Sequence, residues 1–270
     1  MEKGSDTLST AQTARLVGVT PSSIKRWADE GALPCSRTAG GHRRFIRGDV
    51  ERFVEGLQDP SASPKSRAER WVDTLMSSDA YGVLGKLLMA RSALGAWHRV
   101  ADELGEALGL IGIRWRRGEM TVLQEHLASE RLHRGLAQVA AGLAVPDRAP
   151  VCLLTSVPGD DHTLGLSLAE LCLRDAGWST LWAGRQTPEP DMLAQVASNQ
   201  VMMVAVSASS ASSDEPLTSF AKSLGAACAK KTIPFVMGGN GPWPTDLPGA
   251  VRVSSFVEFH GFLESLGEAS

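Results

Sequence analysis

An aspartate, a histidine and a glycine, Asp160, His162 and Gly165, follow the spacing D-x-H-x-x-G in this sequence. An apolar run, residues 151–154, precedes them, and a helix-like run, residues 164–176, follows. We therefore expect a strand whose carboxyl end presents the imidazole in the crevice above a parallel sheet. A neutral histidine binds transition metals well when its other ring nitrogen is held, as Asp160 could do. The pattern is short, and the alternative interpretation is a surface pair of aspartate and histidine.

Two later segments extend this pattern. The apolar residues 201–206 end in Ser207-Ala-Ser209, and residues 235–237 end in Gly238-Gly239. A serine hydroxyl can hydrogen-bond a buried nucleotide base, and glycines allow close approach of the backbone. In order and context, these segments resemble the cobalamin-binding domain family, although Ser209 stands where that family usually has an apolar residue.

The resemblance implies that one set of residues binds a cobalt corrinoid. His162 would be the lower axial ligand of the cobalt. The set comprises Asp160, His162, Gly165, Ser207, Ser209, Gly238 and Gly239.

Strand-like and helix-like runs alternate through the carboxyl-terminal part of the chain. Strands are predicted at residues 151–154, 180–182, 201–206, 234–237 and 251–253, and helices at 164–176, 191–197 and 217–229. Alternation at this spacing predicts a five-stranded, doubly wound parallel sheet, that is, a Rossmann-like domain. We expect this domain to span residues 148–270.

The amino-terminal residues predict a helix-turn-helix. Ser9 or Thr10 can cap a first helix, and Thr20-Pro21 can begin a second. The second helix would turn Ser22, Ser23, Lys25 and Arg26 outward, and such a helix enters the DNA major groove.

A basic hairpin is predicted next. Gly40-Gly41 suits a two-residue turn, followed by His42, Arg43 and Arg44. Residues 37–47 hold four arginines and no acid. Residues 1–58 resemble the winged-helix DNA-binding domain of the MerR family, which implies that Arg43 and Arg44 contact phosphates and that Ser22, Ser23 and Lys25 read bases. Arg26, Arg37 and His42 complete the predicted DNA-binding set, and a solvated charged face is the alternative.

A Pro/Ser linker is predicted at residues 59–66, and the middle of the chain that follows it is predicted to be helical. Four amphipathic runs within residues 67–147 fit a four-helix bundle. Trp115, followed after nine residues by Glu125-His126 with Val122 between, fits a core tryptophan and an exposed helix start. The same arrangement resembles the cap of the CarH/LitR-type photoreceptor repressors, which implies that these four residues cover the upper face of adenosylcobalamin.

The resemblance to these repressors covers essentially the whole chain, and it implies a function. The multidomain α and α/β protein would be a cobalamin-dependent, light-responsive transcriptional repressor. It would bind double-stranded operator DNA as a homo-oligomer, a dimer or tetramer, controlled by the upper ligand of adenosylcobalamin. In some of these photoreceptors a histidine directly after the tryptophan ligates cobalt after photolysis. Arg116 stands there in this chain, which leaves His126, His133 or water for that role.

Other classes of protein are less well supported by the sequence. A corrinoid methyl carrier also joins helices to this sheet, but it has no use for an arginine-rich hairpin. A regulator that senses another tetrapyrrole, or cobalamin without light, remains an alternative. No nucleophile–base pair or phosphate-binding loop stands out, so we expect no enzymatic activity. The net charge of −3, the four scattered cysteines and the lack of a long apolar segment predict a cytoplasmic protein without membrane contact.

Overall fold

The computed structural model describes residues 7–17, 21–29, 33–38, 40–57 and 64–268. By its internal contacts the chain divides into two units. One comprises Met1–Ala96 and Glu106–Gly135, and the other comprises Trp97–Gly105 and Leu136–Ser270. Within the described ranges, none of the helices combines the length and the apolar character that crossing a membrane requires.

The amino-terminal module is a helix-turn-helix with an antiparallel sheet, as predicted. Its elements are β1 (Thr7–Ser9), α1 (Thr10–Val17), α2 (Pro21–Asp29), β2 (Ser36–Arg37), β3 (Arg43–Ile46) and α3 (Arg47–Leu57). The sheet has the order β1-β3-β2, and β1 was not predicted. Ser9 and Gln12 cap α1 reciprocally, each side chain accepting the other's backbone N–H at 3.3 and 2.9 Å. Ile24, Trp27, Phe45 and Phe53 form the core.

Two local predictions in this module were wrong. Thr38 N–H donates to the carbonyl of His42 at 2.9 Å, so three residues connect the strands rather than two. Gly41 has a φ of 76°, and Gly40 has no such positive φ, so one glycine supplies the left-handed turn. Asp49 lies in the first turn of α3 instead of capping it, because the helix begins at Arg47. The predicted cap Thr20 lies outside the described residues.

Four helices follow, as the apolar periodicity predicted: α4 (Pro64–Ser77), α5 (Ala80–Leu94), α6 (Trp97–Arg116) and α7 (Val122–Gly142). Helix α4 begins inside the segment predicted as a linker. Asp79 caps α5 by accepting Gly82 N–H at 2.8 Å, and Gly95 ends it with a φ of 77°. Each helix has buried apolar residues at helical spacing, among them Trp71, Leu75, Leu87, Leu104, Leu132 and Leu136.

The second unit contains the predicted parallel sheet. Its elements are β4 (Val151–Ser156), α8 (Leu164–Asp175), β5 (Ser179–Gly184), α9 (Glu189–Ala197), β6 (Met203–Ser207), α10 (Asp214–Lys230), β7 (Phe235–Gly238), β8 (Ala250–Arg252) and α11 (Phe256–Glu268). All strand pairs are parallel, in the order β5-β4-β6-β7-β8. The strand order therefore reverses between β4 and β6, which is where ligands bind in such sheets.

Candidate functional site: a corrinoid cleft and a DNA-binding module

The predicted corrinoid-binding residues meet at one edge of the parallel sheet. Ser156 at the end of β4 pairs with Ser207 at the end of β6, and Ser207 pairs with Gly238 at the end of β7. The loops after these three strands therefore start side by side. They carry the histidine, the serine pair and the paired glycine at the reversal point of the sheet.

Asp160 is the centre of a hydrogen-bond network in the loop after β4. One carboxylate oxygen accepts from the backbone N–H of His162 at 2.9 Å and lies 2.8 Å from its ring Nδ1. The other accepts from the backbone N–H of Ser209 at 2.5 Å and from the hydroxyl of Ser212 at 2.7 Å. The Asp160 side chain is only 1% exposed. The carboxylate thus joins the loops after β4 and β6.

The network keeps Asp160 charged. Burial raises the pKa of this carboxyl, but the hydrogen bonds from Ser209, His162 and Ser212 outweigh burial and lower the pKa to about 2. An ionised carboxylate only accepts hydrogen bonds, so Nδ1 of a neutral His162 carries the proton and Nε2 keeps its lone pair. The imidazole is 69% exposed. His162 therefore presents a free nitrogen to a ligand while Asp160 fixes its ring.

Two of the predicted glycines lie where a side chain would meet neighbouring protein atoms. Gly239 has a φ of 79°, and a Cβ there would collide with the carbonyl oxygen of Ala208. A Cβ on Gly165 would lie 3.2 Å from the hydroxyl oxygen of Ser207, whereas one on Gly238 would meet nothing closer than 3.8 Å. The oriented imidazole of His162 and the side-chain-free backbone of the paired glycine fit a corrinoid at this edge of the sheet.

Two side chains that sequence reasoning missed hold the paired glycine in place. The indole N–H of Trp243 donates to the carbonyl of Gly238 at 2.8 Å. The guanidinium of Arg252 donates to the carbonyls of Met237, at 3.0 Å, and of Gly239. Ser212, a third missed residue, binds Asp160 as described above. None of the three follows a spacing that would have marked it.

In the other unit, the predicted cap residues lie at the end of α6 and the start of α7. Trp115 is 49% exposed and Val122 is 54% exposed, so Trp115 is not the core tryptophan of the alternative interpretation. Glu125 accepts the hydroxyl of Ser129 at 2.6 Å, and its other oxygen lies 3.6 Å from Nε2 of His126. An aromatic ring, an imidazole and a carboxylate are thus available to a ligand.

The predicted DNA-binding residues lie on α2 and on the hairpin of β2 and β3, which we call the wing (residues 36–46). Ser22 and Lys25 are exposed on α2, and Arg37 and His42 are exposed on the wing. Arg44 is half-buried, and Arg43 is largely covered and paired with Asp29. The side chains of Ser23 and Arg26 lie outside the described part of the chain.

Comparison with known families agrees with this arrangement. Residues 7–58 match the family described as "Helix-turn-helix domain", and residues 66–139 and 150–251 match two families described as "B12 binding domain". The HTH-type transcriptional repressor CarH of Myxococcus xanthus is 28% identical over 218 residues, which cover 66% of this chain and 71% of that protein. The chain therefore combines a helix-turn-helix domain with two B12-binding domains, an arrangement similar over much of its length to that repressor.

Two further proteins resemble parts of this chain. The transcriptional repressor DcmR of Methylorubrum extorquens is 43% identical over 60 residues, which are 22% of each chain. The monomethylamine corrinoid protein of Methanosarcina barkeri has a similar fold, with a TM-score of 0.53, 14% identity, and coverage of 75% of this chain and all of that one. The predicted fold class is confirmed. Both of these relatives are named as transcriptional repressors, which agrees with the prediction of a regulator without enzymatic activity.

Proposed function

We propose that this regulator is a light-responsive repressor in which bound adenosylcobalamin controls oligomerisation and operator binding. The repressor class and cobalamin binding follow from the family matches and the two relatives. The adenosyl form, the light response and the oligomer are our proposal. The observation that carries cobalt ligation, on which the proposal rests, is the Asp160–His162 pair, because it leaves one imidazole nitrogen free and exposed at the sheet edge.

We assign the lower face of the cofactor to the sheet edge. His162 would ligate the cobalt through Nε2, and Asp160 would keep the ring in the required tautomer. Ser207 and Ser209 would face the nucleotide tail, and Gly165, Gly238 and Gly239 would let it approach the backbone. Bound adenosylcobalamin would supply a light-sensitive cobalt–carbon bond.

The upper face is assigned to Trp115, Val122, Glu125 and His126. Three of these side chains are exposed and that of Glu125 is half-buried, and together they offer apolar and hydrogen-bonding contacts to an adenosyl group. Arg116 lies next to Trp115, and a guanidinium group has no lone pair to offer cobalt. A ligand at position 116 would therefore not replace the adenosyl group, which would leave His126, His133 or water for that role.

We further propose that assembly makes DNA binding strong. A single winged helix offers few phosphate contacts, so joining several copies raises operator affinity through effective concentration. The cofactor then regulates DNA binding without touching DNA, provided that it binds one assembly state more tightly than another.

The experiment combines the full chain with adenosylcobalamin in the dark, followed by green light. We expect a cobalamin absorption spectrum, an increase in molecular mass over the apo form in the dark, and a decrease in mass after illumination. Duplex operator DNA should be retained only by the dark form. Methylcobalamin and hydroxocobalamin, added separately, distinguish sensing of the upper ligand from sensing of corrinoid in general.

Two variants test the assigned ligand. His162→Ala should weaken cobalamin binding or change its spectrum, because the lower axial nitrogen is lost. Asp161→Asn is the matched control, since Asp161 lies in the same loop and only accepts a hydrogen bond from Gln186 at 2.9 Å. If both variants bound cobalamin like the unaltered protein and with its spectrum, His162 would not be the ligand. A chain that binds no corrinoid would refute the whole proposal.

A further inference from the structure

An acidic residue lies on the exposed face of α2 that is predicted to meet DNA. Ser22, Lys25 and Asp29 are separated by three and four positions, which places them on one face of a helix, and all three are exposed. Asp29 is the last residue of α2. A carboxylate at this place faces the same side as the residues predicted to read bases, where a DNA phosphate would be repelled.

The carboxylate of Asp29 already holds two arginines of the wing. One oxygen accepts from the guanidinium of Arg43 and lies 3.7 Å from that of Arg37. Asp29 and Arg37 have side chains 57% and 59% exposed, whereas that of Arg43 is only 16% exposed. The Nε–H of Arg43 is buried and has no hydrogen-bond partner among the described residues. Packing therefore holds the aliphatic part of the Arg43 side chain, and Asp29 pairs with its guanidinium group.

We propose that Asp29 is an internal substitute for a DNA phosphate: it occupies Arg43 and Arg37 in the free protein and thereby weakens DNA binding by the single module. A phosphate would have to displace this carboxylate to reach the two guanidiniums. This inference rests on the proposed DNA-binding function and assigns a specificity role to a residue outside the predicted DNA-binding set. It also makes strong binding dependent on several modules acting together.

The chemistry favours such an exchange. Guanidinium pairs equally well with carboxylate and phosphate, in both cases through charge-assisted hydrogen bonds. The ion pair is open to solvent on the Asp29 side, and exposed ion pairs contribute little to stability. Removing the carboxylate should therefore leave the module folded, with Arg43 still held by its packing. The freed guanidiniums then become additional phosphate ligands.

The test compares Asp29→Asn with the unaltered full chain on labelled 30-base-pair duplex DNA of mixed sequence, between 50 and 200 mM salt. We expect the variant to bind more tightly, on the order of fivefold at the lowest salt. Each gained phosphate contact adds about 0.9 to the slope of log affinity against log salt. Over this fourfold range of salt, the affinity of the variant should therefore decrease roughly three- to fourfold more than that of the unaltered chain if one contact is gained, and roughly twelvefold more if both guanidiniums bind phosphates.

Glu51→Gln is the matched control, because it removes the same charge from the same module at a side chain of similar exposure. Glu51 pairs with Arg47 on α3, 3.8 Å away, rather than with the wing. An equal gain in both variants, or no gain in Asp29→Asn, would overturn the inference. Adding Arg43→Ala to Asp29→Asn should remove the gain. If the unaltered chain bound no duplex DNA under any condition, the proposed function would fail first, and this inference with it.

Discussion

Asp160→Asn is the most informative single change at the sheet edge, because it replaces one oxygen of a carboxylate whose two oxygens both accept hydrogen bonds. An asparagine has one acceptor oxygen and one NH2 group. If its oxygen stays with His162, the NH2 group faces the backbone N–H of Ser209, which can only donate. The Ser212 hydroxyl can turn and accept instead. One buried donor is therefore left without a partner.

The expected loss of stability can be estimated in two ways. An unsatisfied buried donor costs about 1–3 kcal/mol. The pKa of Asp160, lowered from its ordinary 3.8 to about 2, corresponds to about 2 kcal/mol of preference for the charged form in the folded state. We expect a loss of about 2–3 kcal/mol. This should lower the thermal unfolding midpoint of the apo protein, followed by circular dichroism, by roughly 5–10 °C.

Asp160→Asn should also weaken cobalamin binding, since altering the partner of a metal-ligating histidine typically costs about 10–100-fold in affinity. Asp161→Asn, one residue away and exposed, should leave both measurements near those of the unaltered chain. Equal melting and equal affinity in the two variants would refute the reasoning. The buried network would then contribute neither to stability nor to the orientation of His162.

Two further predictions concern the same unit. Gly239→Ala should destabilise the protein by at least 1–2 kcal/mol and weaken cobalamin binding, because an alanine is strained at a φ of 79° and its Cβ collides with the Ala208 carbonyl. Gly238→Ala should leave the stability of the apo protein near that of the unaltered chain, since its Cβ meets nothing closer than 3.8 Å. Equal losses of stability in denaturant titrations would contradict this. Burial lowers the pKa of His98 below its ordinary 6.5. The ring of His260, whose centroid is 4.0 Å from that of His98, and the charge of Arg99 lower this pKa further, whereas Asp102 and Asp175 raise it. Folding therefore opposes protonation of His98, and its contribution to stability is present above pH 6.5 and is lost as the pH falls through the folded pKa. The unaltered chain should thus lose more stability between pH 7.5 and 5.5 than His98→Gln, and parallel melting curves would show that His98 does not titrate in this way.

The sequence predicted the parts of this protein that depend on local pattern. Alternating apolar runs located all five strands of the parallel sheet, and strand ends located His162, Ser207 and Gly238 at one edge. These inferences succeed because burial on both faces of a parallel sheet requires continuous apolar strands. Ligand-binding residues then follow at the carboxyl ends of those strands.

The rest depends on contacts between distant segments, which a single sequence does not display. Ser212 binds Asp160 across 52 residues, and Arg252 approaches Gly239 from the neighbouring strand β8. The wing gave a further example. Arg43 and Arg44 are adjacent in the sequence and look equivalent. Successive residues of a strand face opposite sides, however, and it is Arg43 that forms an ion pair with Asp29. The residue types indicated a basic hairpin, but they did not indicate which way each side chain points.

The first residues of α6, 97–105, belong to the second unit, and they affect how that unit can be produced alone. Asp102 on α6 accepts the backbone N–H groups of Phe256, at 2.6 Å, and Val257, at 3.1 Å, and so completes the start of α11 from 154 residues away. During synthesis, Asp102 is made long before α11, so the carboxylate that caps this helix is present before the helix forms. A fragment that begins at residue 148, where sequence alone would divide the domains, lacks this carboxylate. One that retains residues 97–105 keeps it.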